Sequence, residues 1–198
     1  MERIVLARHG ESEYSVHGLV NGDASVAVGL TAVGEEQARE LGAALASEAI
    51  DLCVTSALRR TQLTASLALA GRDVPFEAWA ELDDPRAGGF EGLHLDEYRA
   101  WAWATGSGEE APGGGESRVA AVERYVAGFG RLLARPEASI LAVLHALPIA
   151  YVLGALEGEP PAARMDRPVE YARPFRLTAA ELEMALGVLQ VWVRQPTW

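Results

Sequence analysis

Two short apolar runs, Ile4-Val5-Leu6-Ala7 and Ile140-Leu141-Ala142-Val143-Leu144, each run straight into a histidine-bearing stop. Arg8-His9-Gly10-Glu11 follows the first run and His145 follows the second. Apolar runs this short, without alternation, suit strands buried on both faces of a parallel sheet. In open α/β sheets ligands bind outside the carboxyl ends of the strands, and neighbouring strands lie about 5 Å apart. Either histidine alone reads equally well as a partly buried side chain at a strand end. Two of only four histidines in the same local setting point instead to one shared pocket.

A third segment adds positive charge. Leu52-Cys53-Val54-Thr55 is a short strand, and Ser56 is expected to cap a helix beginning near Ala57. Arg59 and Arg60 then fall in the first turn, where the backbone dipole disfavours cations. Two arginines there make sense if helix end and guanidinium together hold an anion. Arg59 reads as the solvent-facing one of the pair. After His145, Ala146-Leu147-Pro148-Ile149 reads as another helix start, with proline in the first turn.

Taken in chain order, these segments resemble the histidine phosphatase superfamily, in its phosphoglycerate-mutase-like branch. Arg8 to Ser12 resembles its opening motif, and Leu30-Thr31 with Gly34 and Gln37-Ala38 resembles the next block. Thr55 to Thr61 matches the block that carries a catalytic arginine, at Arg60. Leu82-Asp83-Asp84 with Gly88 to Gly92, Gly115-Glu116-Ser117 with Arg124, and Val143-Leu144-His145 complete the series.

The resemblance implies a single domain over residues 1–198, a three-layer α/β/α sandwich with a mainly parallel central sheet. It implies a metal-independent phosphomonoesterase, needing no cofactor, that acts on a small phosphorylated molecule. His9 would become phosphorylated, Arg8, Arg60 and His145 would hold the phosphoryl oxygens, and Asp84 would protonate the leaving group. Asp83 and Glu81 remain alternative acids, and Asp83-Asp84-Pro85 also reads as a plain turn. Glu11, Ser15, Asn21 and Gly22 fall around that core, Glu11 as an orienter of the arginines. The chain departs from the family where Ser15 replaces an asparagine and Leu19-Val20-Asn21-Gly22 replaces Arg-x-Gln-Gly. It departs again where Ala146-Leu147 replaces Gly-Gly and Asp84 replaces a glutamate.

The rest of the chain is consistent with this frame. A length of 198 residues, 49% hydrophobic and 23% charged, suits one globular core. A net charge of −11 argues against nucleic acid as a partner. It also makes a local gathering of arginine and histidine more telling. A single cysteine, Cys53, suits a reducing cytoplasm, and neither a leader nor a membrane-spanning run is evident. Helices are expected over Thr31–Ala46, Ser56–Ala70, Asp96–Ala104 and Ser117–Leu133. Strands are expected over Val74–Ala78, Ser139–Leu144, Phe175–Leu177 and Val188–Val193. Residues 106–115 form a glycine-rich loop, read as an open, mobile rim.

Three function classes remain: the phosphomonoesterase, a phosphoglycerate-type mutase, and a non-catalytic relative that binds phosphorylated ligands. The mutase reading is weakened by the short stretch from His94 to Gly115, whose one cation is Arg99. The altered Ser15, Leu19 and Ala146 motivate the binding-only reading. A metal hydrolase using His9, His17, His94 and His145 lacks a zinc-type spacing.

Overall fold

The computed structural model describes residues 1–164 and 167–198. Its sheet consists of β1 (Arg3–Arg8), β2 (Leu52–Thr55), β3 (Phe76–Ala78), β4 (Ser139–Leu144) and β5 (Pro174–Thr178). The strand order is β3-β2-β4-β1-β5. All neighbours are parallel except β5, which runs antiparallel to β1 at the edge. In the register of β1 with β4, Ile4 pairs with Ile140 and Arg8 with Leu144. His9 and His145 therefore leave adjacent strands at the same level, and the ladder continues one step through His9 N–H to Leu144 O at 2.9 Å.

Alternation along each strand feeds two cores. Ile4, Leu6, Val54, Ile140, Ala142 and Leu144 pack with α5 (Arg118–Leu133), α6 (Ala146–Leu156) and α7 (Ala179–Arg194). Val5, Ala7, Cys53, Leu141 and Val143 face the other way, towards Leu41 of α2 (Ala32–Ala44) and Ala65 of α3 (Arg59–Ala68). The result is the three-layer α/β/α sandwich that the resemblance implies. The remaining helices, α1 (Glu13–Val16) and α4 (Leu95–Ala104), both contribute residues to the main cavity.

Two sequence expectations are corrected. Val188–Val193 is not a strand but the last part of α7. A capping box of Thr178 with Glu181 starts that helix, and Leu182, Ala185, Leu186, Leu189 and Trp192 are its buried side. That spacing is helical, and it outweighs the β-branched composition of the last turns. Ser56 does not cap α3, which begins at Arg59 behind Leu58 with no side-chain cap. The Ser56 hydroxyl is engaged elsewhere, by His145 and Thr61.

Candidate active site

The end of β1 turns sharply because Gly10 and Gly34 lie against each other. A Cβ on Gly10 would overlap the Gly34 carbonyl, and one on Gly34 would overlap the Glu11 backbone. Gly10 N–H donates to Thr64 Oγ1 of α3 at 2.9 Å, which ties the turn to the helix that carries Arg60. Arg60 is 4% exposed, while Arg59 faces solvent. The Arg60 guanidinium is the hub of the site. Its Nε donates to His9 Nε2 at 3.1 Å, and its Nη2 reaches His145 Nδ1 at 3.1 Å and Asp84 Oδ2 at 3.2 Å. Asn21 secures the far side, its Oδ1 accepting from Nη1 at 2.5 Å and its carbonyl from Nη2 at 3.0 Å. The two imidazoles stand edge to face with centroids 5.3 Å apart.

These partners assign the tautomers. His9 Nδ1 lies 2.7 Å from the Gly10 carbonyl, which only accepts, so Nδ1 carries the proton and Nε2 the lone pair. His145 Nδ1 meets a guanidinium, which only donates, so its proton is on Nε2 and goes to Ser56 Oγ at 2.8 Å. Burial holds both imidazoles well below the usual histidine range, and Arg60 pushes them further down. Both are therefore neutral near pH 7, the state in which His9 Nε2 is a nucleophile. Arg8 donates from Nη1 to the Val169 carbonyl at 2.9 Å, and its guanidinium lies 3.8 Å over the Tyr171 ring. Its buried Nε has no acceptor among the described residues.

The three candidate acids separate in space. Asp84 lines the main cavity, and its Oδ2 lies 3.7 Å from His145 Nδ1. Burial raises its pKa against the opposing pull of Arg60 and Arg8. Asp83 turns away and accepts the Ala57 backbone N–H at 2.6 Å. Glu81 pairs with Arg131 at 3.1 Å, outside the cavity. The loop that carries these residues is pinned by Arg124, whose Nη1 donates to the carbonyls of Glu81 and Asp83 at 3.1 and 2.9 Å. Arg124 is itself held by Glu116, at 2.9 and 2.7 Å.

Burial also pushes Asp83 up to about 6. In the unfolded chain it ionises near pH 4, so between those values the unfolded state releases its proton first and the fold loses stability as pH rises. Asp83→Asn keeps an acceptor for Ala57 and removes that loss. Denaturant unfolding at pH 4.5 and 7.5 should show the wild-type difference shifted by about 1 kcal/mol in the variant, a figure reduced for solvent screening. Identical pH dependence in the two proteins would refute the assignment.

Arg8, His9, Arg60 and Asp84 open onto a cavity of about 850 Å³. Among the described residues six arginines line it, Arg8, Arg60, Arg99, Arg118, Arg164 and Arg167, against a single carboxylate, Asp84. That donor set suits an anion and offers little to a metal ion. Leu19, Leu95, Trp103, Leu147 and Val169 supply an apolar wall. Trp101 points elsewhere, stacking with Phe90 and Tyr98.

The flanking residues behave differently from one another. Glu11 contacts no arginine in the structure; its Oε1 accepts from Thr31 Oγ1 at 2.8 Å, beside the cap of α2, because the turn at Gly10 directs it there. Ser15 lines the cavity, with its hydroxyl occupied in a capping box with Ser12. Gly22 lies at the cavity edge, its N–H bound to Glu91 Oε2 at 2.8 Å. The glycine-rich loop is not an open rim. Gly89 N–H donates to Pro112 O at 2.5 Å and Glu116 N–H to Arg86 O at 2.8 Å, so the loop packs against the turn that follows Asp84.

Sequence reasoning missed Arg118 and Tyr171. Arg118 had a signal: it is an arginine opening a helix, the feature that exposed Arg60. Tyr171 had none, since it reaches Arg8 through a bridge formed by a distant loop.

The comparisons with known proteins follow this geometry. The model of the histidine phosphatase superfamily (branch 1) matches residues 4–191. The adenosylcobalamin/alpha-ribazole phosphatase of Escherichia coli (strain K12) is 32% identical over 171 residues, 80% of each chain. A 2,3-bisphosphoglycerate-dependent phosphoglycerate mutase of Methylobacterium sp. (strain 4-46) is 39% identical over 139 residues, 64% of this chain and 65% of that one. Among solved structures, the alpha-ribazole phosphatase of Shigella flexneri superposes with a TM-score of 0.76 at 30% identity, covering 88% of this chain and 89% of that one. A histidine at the end of each central strand and an arginine hub between them are thus joined to a match over nearly the whole sequence: the chain belongs to the histidine phosphatase superfamily, branch 1.

Proposed function

We propose that the protein is a metal-independent phosphomonoesterase of the cytoplasm that acts through a phosphohistidine at His9. The observation that carries this reading is the His9 Nε2 lone pair, held by the Gly10 carbonyl on the other ring nitrogen and aimed at the Arg60 hub of an arginine-lined cavity. The relatives named as phosphatases support it.

The steps follow from the donors present. A phosphoryl dianion draws the Arg60 and Arg8 N–H groups onto its oxygens, which releases the lone pair of His9 Nε2. Nε2 attacks phosphorus, the N–P bond forms and the P–O ester bond breaks. The leaving oxygen takes a proton from Asp84, which burial keeps protonated into a higher pH range than an ordinary aspartate. Water then attacks the phosphohistidine, Asp84 takes the proton of that water, and inorganic phosphate leaves His9 neutral. The dianion also favours uptake of a second proton from solvent at His145 Nδ1, which turns that nitrogen from acceptor to donor.

A mutase is the second reading, favoured by the Methylobacterium relative and by the arginines beyond the phosphoryl end of the cavity. Isomerisation and phosphate release are to be measured side by side on one phosphoglycerate, with a panel of phosphomonoesters and chelator present. Hydrolysis outpacing isomerisation is expected; the reverse order overturns the reading, and binding without turnover anywhere in the panel makes a binding-only relative the better account. Within the same panel, Asp84→Asn should slow alkyl phosphates at least tenfold more than aryl phosphates, whose leaving groups need little protonation. Equal losses would reduce Asp84 to a structural role.

A further inference from the structure

We propose that Arg118 forms a second anion subsite in the cavity, so that the preferred substrate is a phosphomonoester carrying another anionic group on an apolar body. This rests on the phosphatase reading for its chemistry, but the binding geometry stands by itself.

The arginines of the cavity are not equivalent. Arg60 is paired with Asp84, Arg167 with Glu157 and Glu159, and Arg99 with Asp96. Arg8 has the Val169 carbonyl, and Arg164 is exposed and lies over the Trp103 ring. Arg118 is half-buried, lines the cavity, and has one partner among the described residues, the Tyr151 hydroxyl at 3.2 Å from Nη1. No described carboxylate is within ion-pair distance of it. The adjacent Glu116 is taken by Arg124.

Arg118 is also the first residue of α5, where the helix dipole opposes a cation. A half-buried guanidinium with no carboxylate partner among the described residues, at the positive end of a helix, is left with unused donors facing the cavity. An anion supplied by the ligand engages them. The planar fork of arginine matches a carboxylate or a phosphoryl group through paired N–H donors. Arg118 is outside ion-pair distance of Asp84 and yet acts electrostatically on it and on Tyr98, which also lines the cavity. The guanidinium is therefore not paired with the acid but opens into the same chamber. Leu19, Trp103 and Leu147 face the same space and give it an apolar wall. A ligand with a charged group at each end and an apolar middle fits this division.

The test uses phenyl phosphate against its 3- and 4-carboxyphenyl and 4-phosphonophenyl analogues, with the full-length protein. For wild type, kcat/KM for the better doubly charged ester should exceed that for phenyl phosphate by about tenfold or more, the gain expected of a charge-assisted hydrogen-bonded pair. In Arg118→Met the ratio should fall towards one. Arg173→Met, whose guanidinium pairs with Glu170 outside the cavity, should keep the wild-type ratio. Which analogue gains more identifies the second anion as carboxylate or phosphoryl. Calorimetric binding of the matching non-hydrolysable phosphonates reads the same preference without turnover. Turnover with no preference in wild type, or a preference that survives Arg118→Met in a folded protein, overturns the subsite. A preference in binding with no turnover of any ester keeps the subsite and overturns the phosphatase reading.

Discussion

His9→Ala is expected to abolish phosphate release and, with it, any acid-labile phosphoenzyme, while the protein stays folded. Rapid acid quench with labelled substrate, with circular dichroism to check the fold, is the measurement. The expected loss in kcat is at least about 10³-fold, because without the imidazole nitrogen the reaction loses its covalent intermediate as well as a positioned nucleophile. The fold should survive because β1 is anchored upstream of His9 by pairing with both β4 and β5. His9 contributes to the sheet mainly through its backbone N–H to Leu144, which alanine retains. Normal turnover by folded His9→Ala would remove histidine catalysis altogether. Loss of turnover with a phosphoenzyme still trapped would move the covalent step to another residue, and His145 would be the first to examine.

Arg60→Ala is expected to lower kcat by about 10²- to 10³-fold, the scale of a lost preorganised donor to a developing oxyanion. Arg60→Lys should recover little of it. One ammonium cannot reproduce a guanidinium that meets His9 from Nε, Asn21 from Nη1, and Asp84 and His145 from Nη2. The variant also carries a pH signature that mere unfolding would not produce. Arg60 is the strongest of the charges opposing the rise in the Asp84 pKa. Without it, Asp84 holds its proton to higher pH, so the basic limb of the residual kcat/KM profile should shift upward, measured best with an alkyl ester. An unchanged kcat in folded Arg60→Ala would sink this role. A large kcat loss with an unmoved basic limb would keep Arg60 as an anion holder and separate it from the acid.

How far the site was legible beforehand differs from residue to residue. His9, His145 and Arg60 were readable because each owes its position to local structure: a buried strand that stops, or a helix that starts. The structure brings these residues together. The identity of the acid was not readable. Asp83 and Asp84 are neighbours in the chain, yet one accepts the Ala57 N–H and the other enters the cavity. That division is imposed by Arg124, which grips the loop from α5. The role given to Glu11 failed for a similar reason, since the turn at Gly10 sends its carboxylate to Thr31. The glycine-rich loop does not line the main cavity, and Gly88 and Gly89 pack against it at Pro112 and Gly115, since glycine permits tight backbone packing as readily as motion.

What the sequence by itself determined, then, is whatever is set within one strand or one helical turn: the buried strands β1, β2 and β4, the caps at Thr31 and Ser117, and the histidines at two strand ends. Side-chain periodicity and the helix dipole act over a few residues, so their signals are printed locally. The helix over Val188–Val193 also had a local signal, in the Thr178–Glu181 capping box and the helical spacing of its apolar residues. Tertiary structure alone decided that Tyr171 lies beneath Arg8 and that Arg118 joins the cavity. Each of these depends on partners brought from far along the chain, as the Arg8 bond to Val169 spans 161 positions. Local propensity carries no information about that distance, because the strand order and its crossovers set which loops share a chamber.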